Sequence, residues 1–117
     1  MTKQASKKLL SKADFMQLKP SVKTLDIPEL GEVYIKVMTA YEREGLETLM
    51  QEQVANNGVR ATIFVYSVCD AAGVLEFNAD DIEIVKTFPA SIVSKVYEFS
   101  GDLNALKPEA KEDAAKN

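Results

Sequence analysis

The sequence predicts an α+β domain that is mainly α-helical, with one N-terminal antiparallel β-hairpin followed by three to four helices. Over residues 24–38 apolar and polar side chains alternate with period two, interrupted by a Pro–Gly turn. From residue 39 onward apolar side chains recur at helical spacing between cap and glycine signals. A chain of 117 residues that is 46% hydrophobic suits one domain with a real core.

The elements follow in order. Residues 1–10 read as a mobile basic arm, after which Ser11 can cap a short turn through "KADFMQL" until Pro20 forbids a helix. Phe15, Met16 and Leu18 form its expected buried side. In the hairpin, Leu25 and Ile27 alternate with Thr24 and Asp26, and Val33, Ile35 and Val37 alternate with Tyr34, Lys36 and Met38. Pro28 presets φ for the turn between them and Gly31 can supply a positive φ.

Thr39 and Glu42 in "TAYE" match a capping box, so a helix should start at about Ala40. Leu46, Leu49, Met50 and Val54 carry it to about Ala55, where "NNG" offers a left-handed stop. The run "VRATIFVYSVCDAAG" suits a buried strand as well as a buried helix, because Thr62, Ile63, Val65 and Val68 are β-branched. Its length and the terminating Gly73 favour a central helix. Asn78 then caps a helix charged by Asp80 and Asp81. Pro89 opens a last helix that buries Ile92, Val93, Val96 and Phe99 and stops at Gly101. Leu103 and Leu106 fold back onto the core, so the domain covers residues 11–106, and 107–117 form a disordered tail.

Charge is divided along the chain. Residues 1–23 hold six lysines against Asp14, a local charge of +5, which leaves −9 on residues 24–117 and −4 overall. An acidic body argues against a nucleic-acid backbone as partner. No apolar run reaches the about 18 residues that span a bilayer, and Leu9 and Leu10 alone make no export signal. No membrane is therefore an expected partner.

The chemistry available is narrow. The chain has no histidine and only Cys69, which removes imidazole and multi-thiolate metal sites and any internal disulfide. Apolar neighbours favour a buried, inert thiol and a reducing cytoplasm. Asp70, Glu76, Asp80 and Asp81 lack the alternating ligands of a calcium loop, since Ala71 and Ala72 interrupt them. The glycines do not cluster as a phosphate cradle. No catalytic, cofactor or metal site is expected, and the chain reads as a non-enzyme. Tyr34, Met38, Tyr41 and Met50 are the candidate partner-binding residues, a mixture that adaptable surfaces use and that also suits a second core layer.

The order of these features resembles the tail assembly chaperones of long-tailed phages, encoded just ahead of the tape measure protein. The first part of the resemblance is "LKPSVKTLDIPELGEVYIKVMTAYERE", with its "IPELG" turn and the Glu42, Arg43, Glu44 helix start. Arg60 then opens the central helix. "CDAAGVLEFNADDIEIV" follows, with Asp70, Gly73, Leu75, Phe77, Asp81 and Ile82. "PASIVSKVYEFSGDLNAL" closes it at Leu103 and Asn104. The resemblance spans about residues 11–106 and departs at "TIFVYSVC", which is more β-branched than the family's helix.

The resemblance implies a cofactor-free interaction protein of the host cytoplasm. Such proteins bind the tape measure protein, keep it soluble, recruit tail tube subunits, form homo-oligomers and are absent from the mature virion. It also implies a longer form made by ribosomal slippage, for which the codons of Ala115, Lys116 and Asn117 are the place to look. The alternative is a small regulatory adapter that binds a protein or nucleic acid through its basic arm.

Overall fold

The computed structural model describes residues 8–53 and 58–106. The expected ends of the chain at 1–7 and 107–117, the slippage residues and the Asn56–Asn57 helix stop lie outside the described residues. The fold is α+β and mostly helical, as the sequence predicts, with a short third strand added to the hairpin.

Helix α1 spans Lys12–Phe15 and is closed by a capping box in which Ser11 and Asp14 satisfy each other's backbone N–H groups. Its side chains correct one expectation. Phe15, Met16 and Leu18 are exposed, Met16 and Leu18 at 74%, because the segment precedes the edge strand and no described element covers it.

Strands β1 (Ser21–Ile27) and β2 (Gly31–Val37) pair antiparallel from Ser21↔Val37 to Ile27↔Gly31. In the turn the Leu30 N–H donates to the Ile27 carbonyl at 2.9 Å. Pro28 is the first central residue and Glu29 takes φ 70° at the second, the left-handed position of a type II turn. Leu25, Ile27, Val33 and Ile35 turn to the core. Thr24 and Tyr34, paired across the strands, hold the opposite face.

Helix α2 (Ala40–Gln53) begins where the capping box places it: Thr39 N–H donates to Glu42 Oε1 at 2.9 Å, and Glu42 N–H to Thr39 Oγ1 at 3.1 Å. The central segment departs from the expected single helix. Helix α3 occupies only Val59–Val65, the chain turns at Tyr66 and Ser67, and β3 (Val68–Cys69) joins the sheet beside β2, Tyr34 facing Cys69 and Ile35 facing Val68. The β-branched run thus divides between both structures. Gly73, expected as a helix stop, serves instead at φ +86° in the loop beyond β3.

A 3₁₀ turn (Ala79–Asp81) capped by Asn78 leads into α4 (Ile82–Val85), and α5 (Ala90–Leu103) closes the fold. Val93 and Val96 of α5 are buried, with Ile92 and Phe99 partly buried against the core. The expected stop at Gly101 is two residues early. The helix passes through it, and the left-handed position is taken by Ala105 at φ 58°. Leu106 N–H then returns to the Gly101 carbonyl at 2.7 Å, the six-to-one bond of a Schellman ending. Gly101 is needed for space, since a Cβ there would lie 2.9 Å from the Leu106 carbonyl oxygen.

α3 binds two clusters. Ala61, Phe64 and Val65 join Ile27, Ile35, Ile82, Val85, Val93 and Val96, with Phe64, Phe77 and Phe88 meeting edge to face. Ile63 joins Leu46, Met50 and Leu106 in the second. The hairpin therefore packs on α3 and α5, and α2 covers the other side of α3.

Candidate protein-docking groove

A groove of 520 Å³ runs between α2 and the segment that follows α3. Tyr41, Gly45, Leu46 and Leu49 line it from α2, Tyr66 and Leu75 from the opposite wall, and Glu42, Glu44 and Thr48 at its polar edge. A recess of 50 Å³ continues it inward to Lys36 and Met38, sharing Glu42, Leu46, Tyr66 and Leu75.

Its walls are held by a polar hinge on the outer face of the hairpin. Lys36 Nζ reaches Glu42 Oε2 at 3.2 Å and the Gly73 carbonyl at 2.9 Å, so one ammonium ties the first turn of α2 to the loop after β3. That loop is shaped by Asp70, whose Oδ1 accepts the N–H groups of Ala72 at 2.9 Å and Val74 at 3.0 Å. Leu75 is thereby returned beside Cys69 in an isolated bridge, where it faces α2 across the groove.

Partial burial pushes the Glu42 carboxyl up, but the Thr39 N–H and the Lys36 ammonium outweigh it and hold the group below the usual carboxylate range. Cys69 is 3% exposed, and burial raises its thiol above the ordinary value. Its Sγ lies 3.7 Å from the Tyr34 carbonyl oxygen, to which the S–H can donate. Among the described residues no group of three or more His, Cys, Asp or Glu side chains could hold a metal ion. No helix among them is long and apolar enough to cross a membrane.

The four candidate residues take different places. Tyr41 stands on the groove rim at 87% exposure, and Met38 lines the recess, half-buried against the second cluster. Met38 is thus beyond the end of β2 rather than on the outer hairpin face. Met50 is 7% exposed, a core side chain beneath the groove rather than part of its surface. Tyr34 is partly exposed on the outer sheet face and does not line the groove.

Tyr66, Leu75, Leu49, Glu44 and Gly45 went unread as site residues. Gly45 carried a usable signal, since a glycine inside a helical pattern costs about 1 kcal/mol relative to alanine and calls for a reason. A Cβ there would meet nothing within 4 Å, so packing within the chain does not supply one. No protein-family model, curated protein or solved structure matches the chain.

Proposed function

We propose that this chain is a phage tail assembly chaperone. It binds the tape measure protein in the host cytoplasm, keeps it soluble, promotes tail tube assembly with the tube subunits, and leaves before the virion is finished. The groove between α2 and the Tyr66–Leu75 segment is the observation that carries the reading. It is open and mainly apolar, and Glu42 and Glu44 are among its lining residues, a character suited to the apolar stripe of an amphipathic helix. The order of motifs across residues 11–106 supports the same assignment.

In this mechanism Leu49, Tyr66 and Leu75 cover apolar anchors of the client helix, and Tyr41 closes over them from the rim. Gly45 lets the client backbone approach α2. No cofactor or bond-making step is involved.

Co-expression with the tape measure protein encoded by the neighbouring gene tests this. The chaperone should keep that protein in the soluble fraction, and Tyr41→Asp, a change at an exposed position, should reduce the soluble yield several-fold. Equal aggregation of the tape measure protein with and without this chain would overturn the reading.

A further inference from the structure

The sheet ends at β1. In the order β1-β2-β3 this strand has β2 on one side, and on the other no hydrogen bond among the described residues reaches the outward main-chain groups of residues 21–26. An edge of seven residues is long enough to template a further strand. Natural sheets restrain such an edge with proline and lysine. Both are present here, Pro20 immediately before β1 and Lys23 within it.

Lys23 occupies a position where an apolar side chain is expected. It pairs with the core residue Ile35, and Leu25 and Ile27 on the same side of the pleat face the core, so Lys23 belongs to the inner face. The residue is exposed, and its ammonium forms no ion pair among the described residues. Leu25 is only partly buried, because the edge leaves it without a neighbouring strand on one side. A strand laid against β1 satisfies both positions when it brings a carboxylate to Lys23 and an apolar side chain to Leu25.

A second copy of this chain does not supply that strand. Two β1 strands related by a two-fold axis pair inner-face residues with inner-face residues, so Lys23 would meet Ser21, Lys23, Leu25 or Ile27. The one carboxylate of β1, Asp26, lies on the outer face opposite Glu32. β2 is paired on both edges, and β3 is two residues long. We propose that β1 is a docking edge for an extended segment of another protein, added antiparallel, with an apolar side chain opposite Leu25 and, two residues later, an aspartate or glutamate opposite Lys23. The main chain of residues 21–26 supplies affinity, and Lys23 selects the sequence. The edge lies across the sheet from β3 and the Leu75 wall of the groove, so the proposal stands whatever the groove binds.

The test titrates the isotope-labelled full chain with a short capped peptide of threonines that carries one valine and, two residues later, one glutamate. Amide chemical shifts are followed to about 1 mM peptide, which reaches weak strand pairing. The amides of residues 21–26 should move and saturate. A lysine in place of the peptide's glutamate should weaken binding at least about threefold, as the cross-strand charge turns from attraction to repulsion. Lys23→Glu, at an exposed position, should reverse that preference. Peptides methylated on alternate backbone nitrogens separate strand pairing from charge attraction. One pattern should lose binding at least about tenfold and the other keep it, because alternate N–H groups face β1.

The proposal is overturned if the β1 amides stay unmoved at about 1 mM peptide. Equal binding of the glutamate and lysine peptides overturns it as well, as does a folded Lys23→Glu variant that still prefers the glutamate peptide. So does methylation that leaves binding intact in both patterns, or a set of shifts gathered at Tyr41, Leu49 and Leu75 of the groove instead of β1.

Discussion

Asn104, at the end of α5, accepts the Met38 N–H on its Oδ1 at 2.8 Å, joining the last turn of the fold to the exit of the hairpin. Its Nδ2 donates to the Lys36 carbonyl at 3.0 Å and to Ser100 Oγ at 3.2 Å. Ser100 Oγ in turn lies 2.7 Å from Ser67 Oγ, and Lys36 N–H donates to the Ser67 carbonyl at 2.8 Å. The ring so formed links β2, the turn after α3, and α5. Asn104→Ala leaves two backbone groups without their partners and should cost about 2–3 kcal/mol. A fall in Tm of about 10 °C by circular dichroism is the expected reading.

Two helical glycines should respond to alanine in opposite directions. At Gly45 the new Cβ meets nothing, so Gly45→Ala should stabilise α2 by about 0.5–1 kcal/mol. At Gly101 it meets the Leu106 carbonyl at 2.9 Å, and Gly101→Ala should destabilise by about 1–3 kcal/mol. Urea titration of both variants measures the pair. Equal shifts would show that the Leu106 turn yields freely.

The hairpin and the starts of α1 and α2 were legible in the sequence because their signals are local. Alternation from Leu25 to Val37 and the Thr39–Glu42 capping box act within a few residues, and the structure reproduces both. The division of residues 59–69 was not legible. What ends α3 at Val65 is the vacant edge of β2, which takes Val68 and Cys69, a partner about 30 residues distant in sequence. The groove was only half legible for a similar reason. Tyr41 sits on a helix readable from its cap, whereas Tyr66 and Leu75 reach the site through that unforeseen strand and the Asp70 turn.

Thr62 is wholly buried in α3, and its hydroxyl has no hydrogen-bond partner among the described residues. An unpaired buried hydroxyl destabilises the fold, so Thr62→Val, which keeps the branched shape, should raise stability by about 1 kcal/mol. A higher urea midpoint at unchanged slope would bear this out. A loss of stability would mean that the hydroxyl is paired.

Cys69 offers a direct probe of the loop that lines the groove. Burial raises its thiol above the ordinary value of 9.0, so the neutral form is favoured; the stability linked to it is fully present below that ordinary value and is lost as pH rises from there through the higher, folded one. At about pH 8 the native protein should react with an aromatic disulfide reagent at least about a hundredfold more slowly than the urea-unfolded chain. Reaction at the unfolded rate would place the 70–75 loop open for much of the time.

Glu42 should make the hinge of the groove sensitive to acid. Its folded carboxyl lies below the ordinary value of 4.5, so the stability it supplies is fully present above that value and is lost as pH falls through the lower, folded one. Solvent limits the size of the effect, because the side chain is 39% exposed and its ion pair with Lys36 is partly screened. Glu42→Gln isolates the charge, since a glutamine oxygen can still accept the Thr39 N–H of the capping box. At about pH 7 the variant should be less stable than wild type by a few tenths of a kcal/mol. Urea midpoints should converge as the pH is lowered through the folded carboxyl's titration, below which the wild-type group is protonated and the Lys36 pair is gone in both. A difference that is constant across the whole range would remove the carboxylate charge from the hinge and leave only its hydrogen bond.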